Sequence, residues 1–241
     1  MAAQDSLKQR IRRGETVIGV SVPIDADRSQ MEDILGKDSY DFLTLDSQHS
    51  PYDEEKLVRY CSLAEDLGIP VQFRIKNTRH AYLIGNILDL GPAAIEVPLV
   101  GDESVVDEAL AAFYYPQVGK RSWGGAARHG VRGRDDRLEY ADWWNNHGVL
   151  CLQMETLNAV TNARQLAKPG VDCLTWGPAD LSFDIEAHPQ HPLQTVDDCL
   201  RHVLQQLAGT EVKVSFRNGT PDQREKYLAM GVTVFMERPR P

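Results

Sequence analysis

Two short segments of the chain carry residues whose types and spacing suit metal-assisted chemistry. Trp176-Gly177-Pro178-Ala179-Asp180-Leu181-Ser182 follows an apolar run beginning at Val171 that reads as a buried strand. Gly177 and Pro178 stop the strand, and a short helix starts at once. A carboxylate and a set of free N–H groups therefore arrive at one spot. Helix N-termini attract anions and carboxylates attract cations, so the spot suits a metal ion carrying an anionic substrate. Leu152-Gln153-Met154-Glu155-Thr156 repeats the pattern, with an acid just past a strand. Each acid also has a structural reading: Glu155 as a first-turn acid favoured by a helix dipole, Asp180 as an N-cap. The pair on consecutive strands points instead to a shared cation. Two carboxylates suit a hard ion such as Mg2+ or Mn2+ that keeps water and substrate oxygens as its other ligands.

Three further positions belong to the same chemistry. Asp46-Ser47-Gln48-His49 follows an apolar run, and Asp46 accepting from one ring nitrogen would orient His49 as an acid/base. Arg74 ends the run Val71-Gln72-Phe73, where a cation stabilises developing negative charge. Asp89 either ends a helix or serves the site. No lysine ends a central strand, which disfavours a Schiff base. No G-x-S-x-G elbow is present. His188 and His191 lie in a Pro-rich loop and read as solvated.

These residues need elements to position them. Short apolar runs alternate with helix-period segments along the chain, and the runs predict strands at 17–22, 42–46, 71–74, 94–98, 149–154, 172–176, 212–216 and 232–236. Helices are expected at 54–67, 80–90, 103–113, 136–146, 158–167, 196–207 and 222–230. The pattern predicts an α/β fold, a single (β/α)8 TIM barrel over residues 1–241, with its chemistry at the C-terminal strand ends. The strand ends then bring Asp46, His49, Arg74, Gln153, Glu155, Asp180, Arg217, Glu237 and Arg238 to one rim. The sequence stops directly after the last expected strand, so the eighth helix is expected to be missing or truncated. The long connection at 116–135 is expected to be either functional or disordered, and Tyr140 on the helix after it could reach the rim.

Composition narrows the partners. The chain has 241 residues, 42% of them hydrophobic, and a formal net charge of −9. That balance argues against nucleic acid or an anionic membrane as partner and leaves small anionic substrates open. No apolar run is long enough to span a bilayer. The residues at 1–14 do not resemble a secretory signal. The four cysteines are dispersed without C-x-x-C spacing; Cys151 and Cys173 fall inside apolar strand patterns and are expected to be buried thiols, and a reducing cytoplasm is expected.

The chain resembles the HpcH/HpaI aldolases, metal-dependent pyruvate aldolases on a (β/α)8 barrel, over nearly its whole length. The resemblance rests on Leu45-Asp46-Ser47-Gln48-His49-Ser50-Pro51, the Arg74 strand end, Val97-Pro98-Leu99-Val100, Gly119-Lys120-Arg121-Ser122, Gln153-Met154-Glu155-Thr156 and Gly177-Pro178-Ala179-Asp180-Leu181-Ser182. It implies that Glu155 and Asp180 ligate Mg2+ or Mn2+, with Co2+ a further candidate. It makes His49, paired with Asp46, the acid/base centre and Arg74 the stabiliser of an enolate. It has Gln153 and the N–H groups around Ala179 hold a substrate carboxylate. Asp89 matches an acid that neighbours the Asp–His pair across a subunit interface. The implied activity is class II aldol cleavage or formation of 4-hydroxy-2-oxo acids, with pyruvate or oxaloacetate and an aldehyde as substrates. The implied assembly is a homo-oligomer, a hexamer or trimer of dimers, whose last helix swaps between paired subunits. The Arg121–Gly125 loop and Tyr140 motivate an alternative: oxaloacetate decarboxylation or biosynthetic carbon–carbon bond formation, as in the macrophomate synthase branch. Many members have Gly-Glu where this chain has Ser47-Gln48, a lost negative charge that bears on substrate range. A non-catalytic scaffold barrel is the reading from outside enzymology.

Overall fold

The alternating apolar runs fold into a closed barrel of eight parallel strands in sequence order. The computed structural model describes residues 5–240, apart from the side chains of residues 218, 219 and 221. The strands are β1 (Val17–Ser21), β2 (Phe42–Asp46), β3 (Val71–Arg74), β4 (Ala94–Val97), β5 (Val149–Met154), β6 (Cys173–Trp176), β7 (Lys213–Gly219) and β8 (Val234–Glu237). The barrel closes by β8 pairing with β1, with Val17 opposite Val234. The expected bounds of β2, β3 and β5 are those observed; the others move by a few residues, as element ends do.

The outer helices pack an apolar face on the strands. In Glu54–Asp66 that face is Leu57, Tyr60, Cys61 and Ala64, one helical repeat apart. Inside the barrel, Val17, Phe42, Ala94, Val149, Cys151, Cys173, Val234 and Met236 form one apolar layer. Phe42 reaches across to β1 because Gly19 leaves the room: a Cβ there would sit 2.3 Å from its ring. Helix Leu7–Arg12 packs Ile11 against that layer. Its Lys8 is buried and donates to Gly148 O at 2.7 Å, Tyr114 Oη at 2.8 Å and Asp172 Oδ2 at 3.0 Å. Packing below the strands leaves the opposite rim for chemistry.

Several helices differ from expectation. Leu7–Arg12 and Arg28–Leu35 were not anticipated, although each opens on a capping box, Ser6 with Gln9 and Asp27 with Gln30. The segment expected at 80–90 starts as a tighter 3-10 helix, Thr78–Leu83, before Ile84–Leu88. The one at 158–167 divides at Asn162 into Leu157–Thr161 and Ala163–Leu166. After β8 the described residues Arg238–Arg240 form no helix. The four cysteines are buried and free. No helix among the described residues is long and apolar enough to cross a membrane.

Candidate active site

At the C-terminal strand ends lies a cavity of about 530 Å³. Asp46, His49, Arg74, Gln153, Glu155, Ala179 and Asp180 all line it, joined by Ser21, Thr44, Arg217 and the β8 end. Of the residues expected to reach the site, Asp89 and Tyr140 are outside.

Glu155 sits just past β5, ahead of Thr156, which caps the next helix by accepting from Ala159 N. Glu155 is therefore not a first-turn acid. It is 2% exposed. Its Oε2 accepts from Leu99 N at 3.1 Å. To aim that N–H, Leu99 takes a left-handed φ of 51°, a conformation that costs a branched side chain energy. On the other flank, a Cβ on Gly177 would lie 2.5 Å from Glu155 Cγ, so only glycine leaves the carboxylate its place. Asp180 lies in the first turn of Pro178–Ala187, whose N-cap is Gly177, so it is not a capping residue.

The two acids meet. Burial, and then the hydrogen bond and charge of Asp180, push the Glu155 carboxyl up to about 7. Arg74 and Leu99 N–H pull weakly the other way. A carboxylate pair that holds a proton up to about pH 7 can exchange it for a cation. The described residues bring no group of three or more His, Cys, Asp or Glu together for a metal. Two hard oxygen donors beside an open cavity fit Mg2+ or Mn2+ with water and substrate completing the shell; zinc would call for His or Cys.

Arg74 is 5% exposed and fixed on three sides. Its Nε donates to Asp46 Oδ1 at 2.8 Å, Nη2 to Oδ2 at 2.5 Å, and Nη1 to Gln153 Oε1 at 3.1 Å. The register makes this direct, since Asp46 and Arg74 are neighbours across β2 and β3. Burial alone would raise the Asp46 carboxyl, but the Arg74 hydrogen bonds and charge outweigh it and hold it below the ordinary carboxylate range.

The expected Asp46–His49 pair does not form here. Both Asp46 oxygens go to Arg74, and Oδ1 also accepts from Gln48 N at 2.9 Å. A buried, bidentate guanidinium outcompetes an exposed imidazole for the same carboxylate. His49 stays at the exposed mouth of the cavity. Asp89 instead accepts from Arg121 Nη2 at 2.9 Å, pinning the long loop to the barrel flank. Gly130 N and Arg132 tie that loop to Glu65 and Asp66 on a neighbouring helix. Tyr140 does not reach the rim. It is buried against Tyr115 and Trp123, and its hydroxyl donates to His129 O at 2.9 Å.

One feature of the floor escaped the sequence. Glu96 on β4 is fully buried and holds Arg217 from β7 and Gln72 from β3. The signal was an acid inside the apolar run Ala94–Val97, a position that demands a partner.

A family model described as HpcH/HpaI aldolase/citrate lyase matches residues 23–233. A 2-keto-3-deoxy-L-rhamnonate aldolase of Klebsiella pneumoniae is 29% identical over 230 residues, covering 93% of this chain and 83% of its own. An HpcH/HpaI aldolase of Desulfitobacterium hafniense superposes with a TM-score of 0.82 at 22% identity, covering 98% of this chain and 90% of its own. Macrophomate synthase gives 0.78 at 19% identity, covering 97% and 83%; at these identities both structures speak for the fold. With a barrel of this topology and a family match across most of its length, the chain is an enzyme of the HpcH/HpaI aldolase/citrate lyase family.

Proposed function

We propose that the protein catalyses reversible aldol cleavage of a 4-hydroxy-2-oxo acid to pyruvate and an aldehyde. The meeting of Glu155 and Asp180 carries this reading: burial first, and then the hydrogen bond and charge of Asp180, raise the Glu155 carboxyl to about 7. The aldolase names of the relatives support it. Glu155 and Asp180 would hold a divalent cation, Mg2+ or Mn2+, which when bound supplies a Lewis acid next to the 2-oxo group.

The chain's own residues do the rest. Ala179 and Asp180 stand in the first turn of Pro178–Ala187, where N–H groups have no intrahelical acceptor. With the Gln153 amide they bind the substrate carboxylate and fix the 2-oxo group toward Arg74. In cleavage the C3–C4 bond breaks and its electron pair moves toward the 2-oxo oxygen. Arg74, clamped by Asp46 and Gln153, faces that growing negative charge without having to reorganise. The C4 hydroxyl loses its proton as the aldehyde forms. His49, at the cavity mouth, accepts it directly or through water. A proton then returns to C3 and pyruvate leaves. Asp46 is a positioning residue in this scheme, holding the guanidinium.

The test is pyruvate release from a panel of 4-hydroxy-2-oxo acids, coupled to lactate dehydrogenase, with Mg2+ or Mn2+ present. Release of pyruvate with an equimolar aldehyde is expected. Failure of every member of the panel would contradict the reading.

A further inference from the structure

Resting on the aldolase reading, we infer that Arg217 makes the cavity selective for a carbonyl partner carrying its own carboxylate close to the reacting carbon. Arg217 belongs to β7 and Glu96 to β4, strands that are not neighbours in the barrel. Arg217 Nη2 nonetheless reaches both Glu96 oxygens, at 2.9 and 3.1 Å. The guanidinium therefore crosses the barrel interior and lies in the cavity floor, near enough for its charge to bear on Asp46.

Glu96 is fully buried and also accepts from Gln72 Nε2 at 2.6 Å, so the arginine is anchored from below. The anchor uses a single nitrogen. Nε is buried and has no hydrogen-bond partner among the described residues, although burying an unpaired donor is costly. Arg74 and Glu237, two other charges at the rim, are already committed. Arg74 is taken by Asp46 and Gln153, and Glu237 by Arg224 at 2.8 and 2.7 Å. Arg217 is thus a fixed, partly exposed cation that the keto-acid half of the site does not require. A guanidinium held in this way recognises a carboxylate. Arg238 adds a second cation on the same wall. The aldehyde of the cleavage reaction is then an oxo acid, with glyoxylate the smallest probe.

The experiment compares condensation of pyruvate with glyoxylate and with glycolaldehyde, a neutral aldehyde of the same carbon number. Arg217→Leu alone leaves Glu96 buried without its cation, which destabilises the barrel. Glu96→Leu/Arg217→Leu removes both charges together and puts apolar side chains in their place, a replacement that is often neutral. Wild type is expected to favour glyoxylate in kcat/KM by at least about tenfold. The ratio is expected to fall to about one in the double variant. Arg217→Lys keeps the charge and retains part of the preference. A wild-type ratio of one or less, or an unchanged ratio in the double variant while both aldehydes still condense, overturns the inference alone. If neither aldehyde condenses in wild type, the aldolase reading fails and this inference falls with it.

Discussion

Glu155→Gln and Asp180→Asn are each expected to lower kcat/KM for cleavage by about 1000-fold or more, the scale of losing several kcal/mol of charge stabilisation. EDTA on wild type should have the same effect, and Mg2+ or Mn2+ should restore wild type but neither variant. Steady-state pyruvate release measures all of these. The loss is not expected to come from unfolding, because the pair is a destabilising element when no cation is bound. The Glu155 carboxyl is raised from 4.5 to about 7 in the folded chain. A raised acid binds its proton more tightly folded than unfolded, so its contribution is fully present below 4.5 and is lost as pH rises through about 7. At pH 8 the cation-free protein carries two adjacent negative charges, and either substitution removes one. Both variants should therefore melt no lower than cation-free wild type at pH 8. A melting temperature well below it would show that the two acids serve the fold and not a cation.

Arg74→Lys is expected to cost about 100-fold in kcat/KM, the loss typical of one oriented donor to a developing oxyanion. Lysine keeps the charge but cannot hold Asp46 through two nitrogens and Gln153 through a third. Arg74→Met should cost more, and it should also lower the melting temperature because Asp46 would keep its half-buried position without its cation. In that variant Asp46 loses what holds its carboxyl low, so a new protonation step should enter the pH profile of kcat/KM toward the ordinary carboxylate range or above. An Arg74→Lys variant with unchanged kcat/KM would remove the guanidinium from the mechanism.

The barrel was legible because its signal is local. Val71-Gln72-Phe73-Arg74 and Val149 to Met154 are buried runs flanked by polar breaks, and their bounds can be read directly. The short helices were less legible. Leu7–Arg12 and Arg28–Leu35 bury few residues, mainly Ile11 and Met31, so no apolar stripe announces them; only their capping boxes do. The rim was legible for the same reason as the barrel: strand ends bring Glu155, Asp180, Arg74 and Gln153 to one cavity whatever their rotamers. Pairing across the rim was not legible. Asp46 has His49 three residues on and Arg74 on the next strand, and sequence spacing favours the near neighbour. Register and burial favour the arginine. The Arg217–Glu96 contact depends on two side chains crossing the barrel interior, and no local pattern encodes that.

The most direct measurement is a Mn2+ titration of wild type, Glu155→Gln and Asp180→Asn, following free Mn2+ by electron paramagnetic resonance. Wild type should take up one Mn2+ per chain at pH 8. It should bind about tenfold more weakly at pH 6, where the ion must displace the proton that Glu155 holds up to about 7. Both variants should lose the site. One Mn2+ per chain retained by both variants, or none taken up by wild type, would contradict the account.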